Sequence, residues 1–163
     1  GAFPTCIIKV GITYGVRSRP EEIYKTLIEG TAFGTFMIID LLKQAGISIS
    51  KLQAGGGLTQ NILLLKIYAD VTMLPIEIAS SQFSSALGAS ILGAVAGGVY
   101  DTVDLAVHKM VIPPARVIQP NLENHGLYLE IFKEYKKLVE IFGRSPNSPM
   151  KKLLSIRERT NRK

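Results

Sequence analysis

The stretch Leu52-Gln53-Ala54-Gly55-Gly56-Gly57-Leu58-Thr59-Gln60-Asn61 constrains the fold of this chain more than any other. A short apolar run climbs into three successive glycines. An apolar segment then follows, Ile62-Leu63-Leu64-Leu65-Lys66-Ile67-Tyr68, with Thr59 placed to cap it as a helix. The pattern reads as a strand, a turn made of bare backbone, and a helix N-terminus. Glycine permits positive φ and leaves no side chain between the main chain and whatever lies against it. A helix start offers unpaired N–H groups and a partial positive charge. A flat or anionic ligand therefore fits directly on the turn; a merely tight strand-to-helix connection fits the same residues. The turn is not a P-loop, because no Lys-Ser/Thr follows, and it lacks the spaced glycines of a dinucleotide fingerprint.

The flanking pattern extends this unit. A strand over about 47–54, the glycine turn, a helix over about 60–71 and a strand Pro75-Ile76-Glu77-Ile78-Ala79 form a β-α-β unit, followed by another helix. Such alternation predicts a parallel strand pair with helices covering the sheet. Ligands in sheets of this kind bind beyond the carboxyl ends of the strands, which is where Gly55, Gly56 and Gly57 fall.

Upstream, Thr5 to Thr13 is rich in β-branched residues and predicts a strand. Ser18 followed by Glu21 has the spacing of a capping box, with Pro20 in the first turn, and the helix so begun runs to Ala45 before Gly46. Its apolar positions Ile23, Leu27, Gly34, Ile38, Leu41 and Ala45 recur at helical spacing, and the later half is expected to be well buried. Gly30 and Gly34 lie one turn apart on that helix. Ala89, Gly93 and Gly97 are spaced likewise on a helix over 85–97, so a close crossing of these two flat faces is one expectation, with ordinary tight packing the other.

Downstream, Asp101 to about Met110 predicts a short helix broken at Pro113-Pro114. Asn121 then caps a long amphipathic helix with Leu127, Ile131, Tyr135, Leu138 and Phe142 on one face, ended by Gly143. Residues 144–149 read as a linker, and 150–159 as a basic final helix. No internal repeat is present.

Composition excludes several function classes. Of 163 residues 47% are hydrophobic, enough for a core, yet no apolar run reaches the ~20 residues of a membrane span. The first ten residues lack a signal-peptide layout. The single cysteine, Cys6, rules out an internal disulfide and suits a reducing cytoplasm. The two histidines, His108 and His125, belong to different helices, and no Cys/His cluster offers a metal site. The net charge of +6 is concentrated at the end, in Lys151, Lys152, Arg157, Arg159, Arg162 and Lys163. With few aromatics interleaved, that run reads as a solvated terminal helix rather than a nucleic-acid tail.

Six segments taken together carry a resemblance. They are Glu22-Ile23-Tyr24-Lys25 through Glu29-Gly30-Thr31-Ala32-Phe33-Gly34-Thr35, the glycine turn through Asn61, Ile67-Tyr68-Ala69-Asp70-Val71-Thr72, Ser80-Ser81-Gln82, Ala86-Leu87-Gly88-Ala89, and Pro120-Asn121-Leu122-Glu123-Asn124-His125. In this order, over about residues 11–158, they resemble the C-terminal half of the FGGY-family carbohydrate kinases, most closely the ribulokinase branch. The resemblance implies an α/β fold: a ribonuclease H-like (actin-like ATPase) C-terminal domain, with a small sheet flanked by helices and extra helices at the C-terminus. Residues 1–112 would be a partial ATP-binding domain and 113–163 a helical extension.

The resemblance further implies that Gly55, Gly56 and Gly57 line the nucleoside end of ATP and that Asn61 reaches the adenine, which moves the anion reading of the turn elsewhere. The 86–89 helix would line an interdomain hinge. It implies a cytoplasmic kinase of L-arabinose catabolism that phosphorylates L-ribulose with Mg-ATP and forms a homo-oligomer, without nucleic-acid or membrane partners. The sugar site, the phosphate-binding loop and the general base belong to sequence this chain does not contain, so no catalytic residue is expected here and no residue is assigned to Mg2+. Asp40, Asp70, Asp101 and Asp104 match no catalytic motif and read as solvated or structural. A non-catalytic actin-like binding or oligomerisation module is the alternative. The chain departs from the family pattern at Phe36, where Arg is expected, at Met73, where Gly is usual, at Phe83-Ser84-Ser85, and throughout residues 1–10.

Overall fold

The computed structural model describes residues 19–81 and 83–160. The strand expected at 5–13 and the Ser18 cap lie outside them. In chain order the elements are α1 (Pro20–Gln44), β1 (Leu52–Ala54), a 3-10 turn (Gly57–Gln60), α2 (Ile62–Thr72), β2 (Ile76–Ile78), α3 (Ser84–Ala96), α4 (Val103–Met110), β3 (Arg116–Ile118), α5 (Leu122–Val139), a π-helical turn (Glu140–Arg144) and α6 (Pro149–Thr160).

The β-α-β unit is present as the alternation predicts. β1 and β2 pair in parallel, with Leu52 opposite Ile76, Gln53 opposite Glu77 and Ala54 opposite Ile78. The sequence reading did not include β3, which pairs antiparallel to β2 with Ile118 opposite Ile76, giving the order β1-β2-β3. Its three residues sit between Pro114 and Pro120, too short a run to show a period. On the core face Ile76, Ile78 and Ile118 are buried with Leu65 and Ala69 of α2. The other face carries Gln53 and Glu77.

Helix α2 is apolar nearly all round because it is covered on two sides. Leu65 and Ala69 meet the sheet, while Ile67 and Val71 pack with Ile28, Ala32 and Phe33 of α1 and with Phe132 and Tyr135 of α5. The aromatic rings set this second cluster. Phe33 lies 5.4 Å from Tyr135 and 5.9 Å from Phe132, centroid to centroid, and Phe36 lies 4.5 Å from Phe132. Phe36, a departure from the family pattern, thus has a packing role. Tyr128 donates to the buried Glu29 carboxylate at 3.1 Å. Burial, with the Glu29 charge beside it, pushes the Tyr128 phenol above its ordinary value, so it stays a neutral donor.

Three expectations about faces are corrected. On α1 the buried positions are Thr26, Ile28, Glu29, Gly30, Ala32, Phe33 and Ile39, whereas Ile38 and Leu41 are more than half exposed. The later half of that helix is therefore not well buried. On α5 Tyr135 is buried as expected, but the core face continues through Phe132, with Tyr128 and Val139 packed alongside, while Leu127 and Ile131 are exposed. Both stripes on each helix are apolar, and the fit of Phe33 against Phe132 and Tyr135 selects one. Third, α1 and α3 do not form the small-residue crossing. α3 packs chiefly on α4, and Ala89, Gly93 and Gly97 are exposed. A Cβ at Gly34 would meet only the Tyr135 hydroxyl, at 3.8 Å.

The helix starts follow polar caps. Thr102 accepts from the Leu105 N–H at 3.2 Å and Asn121 from the Asn124 N–H at 3.0 Å. At α1 the N-cap is Arg19, and Glu22 accepts from the Arg19 backbone N–H at 3.2 Å. Val139 ends the regular part of α5, and Gly143 falls within the π turn that follows. Among the described residues no helix is long and apolar enough to cross a membrane.

Candidate functional site

The glycine turn opens between the end of β1 and the start of α3. Each glycine is used differently. Gly56 has φ 75° and ψ −163°, a conformation essentially confined to glycine. A Cβ at Gly55 would lie 2.7 Å from Ser84 Oγ, so this residue is bare because the first turn of α3 presses on it. Gly57 meets nothing within 4 Å. Thr59 does not cap α2, as the spacing predicts; it stands in the intervening 3-10 turn and donates through Oγ1 to the Gly56 carbonyl at 2.7 Å. It holds the turn closed from within.

The cap of α2 is Asn61. Its Oδ1 accepts from the Leu64 N–H at 3.1 Å, and its Nδ2 donates to the Tyr24 hydroxyl of α1 at 3.0 Å. One amide hydrogen and one lone pair are left over by these two bonds. With its first turn capped, α2 presents a weakened anion site.

A cleft of about 480 Å3 lies against the turn, lined by Gly55, Gly56, Phe83, Ser84, Ser85 and Ala86. It carries no charged side chain. Gly55 and Gly56 form part of its wall; Gly57 and Asn61 are not among its lining residues and stand beside it in the chain. A second groove of about 390 Å3 lies across Ser84, on the outer face of the sheet, among Gln53, Glu77, Leu87, Ile91 and Met110. There Glu77 accepts from Lys51 Nζ at 2.9 Å and from Gln53 Nε2 at 3.4 Å. The Lys51 hydrogen bond holds the Glu77 carboxyl below the usual carboxylate range, against the opposing pull of desolvation. The two recesses differ in kind: a neutral one floored by main chain, and one with a paired carboxylate.

Among the carboxylates read as structural, Asp70 has the most visible role. It is buried at the end of α2, where Oδ1 accepts from the Asn121 N–H at 2.7 Å and Oδ2 from Asn124 Nδ2 at 2.8 Å. The Asp70 carbonyl lies 2.8 Å from His125 Nδ1. Among the described residues no group of His, Cys, Asp or Glu is placed to hold a metal ion.

Residues 6–97 match the family model described as the FGGY family of carbohydrate kinases, C-terminal domain. The chain belongs to that family. It is 45% identical over 151 residues to the ribulokinase of Shouchella clausii, a match covering 90% of this chain and 27% of the relative. The chain thus spans about a quarter of the length of the curated relatives it matches. Among solved structures it is similar to a ligand-bound xylulose kinase from Lactobacillus acidophilus, with TM-score 0.67 and 21% identity, covering 76% of this chain and 25% of that one. It is also similar to the Plasmodium falciparum glycerol kinase solved with ADP, with TM-score 0.62 and 24% identity, covering 77% and 25%. The fold is accordingly that of the C-terminal, actin-like domain of FGGY kinases, with three strands among the described residues.

Proposed function

We propose that this chain is the nucleotide-binding C-terminal part of an ATP-dependent sugar kinase, a ribulokinase converting L-ribulose to L-ribulose 5-phosphate in cytoplasmic L-arabinose catabolism. The single observation that carries the reading is the bare turn at Gly55 and Gly56 opening onto an uncharged cleft of about 480 Å3. That size suits a small-molecule site. A neutral, flat wall suits a nucleoside, whereas a triphosphate demands positive charge or free N–H groups. Similarity to ribulokinases and to a glycerol kinase solved with ADP supports the same assignment.

In this reading ATP supplies the phosphoryl group, and the residues of this chain bind and orient its nucleoside end. Gly55, Gly56 and Gly57 let the main chain approach the ribose and base, and the spare amide hydrogen and lone pair of Asn61 meet the adenine edge. Among the described residues no cluster of His, Cys, Asp or Glu is placed to hold Mg2+, and none is assigned to it. Residues 1–112 carry the partial ATP-binding domain, and 113–163, read from the sequence as a helical extension, add β3 to its sheet and α5 to its core. The sugar site and the general base are supplied by sequence outside this chain, and the chain alone does not phosphorylate a sugar.

The test separates recognition from capping. Asn61→Ala removes both the adenine contact and the α2 cap. Asn61→Asp keeps an acceptor for Leu64 N–H and loses the amide donor. In the full-length kinase Asn61→Asp is expected to raise the KM for ATP more than it lowers kcat, by about 1–2 kcal/mol, with the loss of the Asn61–Tyr24 hydrogen bond read separately in the melting temperature. An unchanged KM for ATP removes Asn61 from the site.

A further inference from the structure

Phe83 is the residue of this neighbourhood that the nucleotide reading leaves unused. It is 75% exposed, and among the described residues no aromatic ring contact is recorded for it. It lines the same cleft as Gly55 and Gly56. Its backbone is held on both sides: its N–H donates to Ser81 Oγ at 3.1 Å, and its carbonyl accepts from the Leu87 N–H at 2.9 Å as the first bond of α3. Ser84, the next residue, packs against Gly55. The Phe83 backbone is thus held at the rim of a cleft that is also lined by the bare main chain of Gly55 and Gly56.

From this we infer that Phe83 packs its ring against the base of the bound nucleotide and sets a preference for purines, a role that rests on the nucleotide-site reading above. The chemistry favours a flat neutral occupant. The cleft's lining holds no cation for a phosphate, and an exposed aromatic ring that shares this lining with bare peptide planes favours a flat ring. Stacking strength grows with the area of the base, so a purine gains more from Phe83 than a pyrimidine does.

The test uses the full-length kinase with ATP and CTP as alternative phosphoryl donors. Phe83→Ala is expected to raise the KM for ATP about ten-fold with kcat nearly unchanged, and to narrow the ATP-over-CTP preference by a similar factor. Phe83→Tyr should keep both values, and Phe83→Leu, which keeps apolar bulk without the flat ring, should behave like Phe83→Ala. If Phe83→Ala leaves both the ATP KM and the donor preference unchanged while Asn61→Asp raises the KM, Phe83 does not touch the base and the inference is overturned with the site intact. A lowered melting temperature with unchanged donor preference overturns it too, since Phe83 then packs against another part of the protein. If neither variant alters nucleotide binding, the nucleotide-site reading itself falls.

Discussion

Met73 ends α2 with φ 54° and ψ 34°, the one described non-glycine residue at positive φ. The left-handed conformation costs a side-chain-bearing residue about 1 kcal/mol or more. Met73→Gly is therefore expected to stabilise the chain by up to about 1 kcal/mol, read as a rise in the midpoint of urea unfolding. Glu77 makes a pH prediction. Its carboxyl titrates below the ordinary range, so the folded state binds fewer protons there than the unfolded chain. The stability from its pairing with Lys51 is fully present above the unfolded carboxylate value of about 4.3 and is lost as pH falls through the lower folded value. Urea titrations from pH 7 to pH 3 should show that loss, and Glu77→Gln should flatten part of it. Met73 stood out in the sequence only through the family resemblance, which expects Gly there. The Lys51–Glu77 pair could not, since 26 residues separate the partners and only the parallel register brings them together.

Between elements, Asp70 ties α2 to α5. A carboxylate in the last turn of a helix opposes that helix's dipole; here it is placed at the N-terminus of α5, where negative charge is favourable. Its two oxygens take the Asn121 N–H and the Asn124 side chain. Asp70→Ala leaves these donors without their acceptor in a half-buried joint and is expected to cost about 2–3 kcal/mol in chemical denaturation. Asp70→Asn, which keeps one acceptor, should cost less. The existence and kind of α1, α2, α3, α5 and α6 are legible from periodicity and capping residues, Asn121 most clearly. Their faces are less so. α1 has apolar residues at both Ile38/Leu41 and Phe33/Ile39, and α5 at both Leu127/Ile131 and Phe132/Tyr135. Periodicity cannot choose between two apolar stripes; aromatic packing does. β3 was invisible for a related reason, being three residues long and paired only through β2.

For the whole molecule, the notable feature is apolar surface. Ile38 is 59% exposed and Leu41 54%, one turn apart on α1, and Leu127 of α5 is 62% exposed. Large apolar side chains left exposed favour association. The 163-residue chain is expected to self-associate at micromolar concentration in sedimentation velocity. The double change Ile38→Lys with Leu41→Lys should shift it toward monomer without lowering the melting temperature, because neither side chain belongs to the core clusters. A sedimentation profile identical for the two proteins would place the contact elsewhere.

Read alone, the chain of residues determined the β-α-β order, the parallel pairing it requires, the bare turn after Leu52 and, through six ordered segments, the family. Each of these is local: it depends on which residue types follow one another, and backbone stereochemistry turns that order into strand, turn and helix. The tertiary structure alone decided which stripe of α1 and α5 lies inside, that Asn61 rather than Thr59 caps α2, that Ser84 presses on Gly55, and that Phe83 shares a cleft with Gly56. Those outcomes depend on residues far apart in sequence competing for the same space, and a competition of that kind is resolved only when the competitors meet.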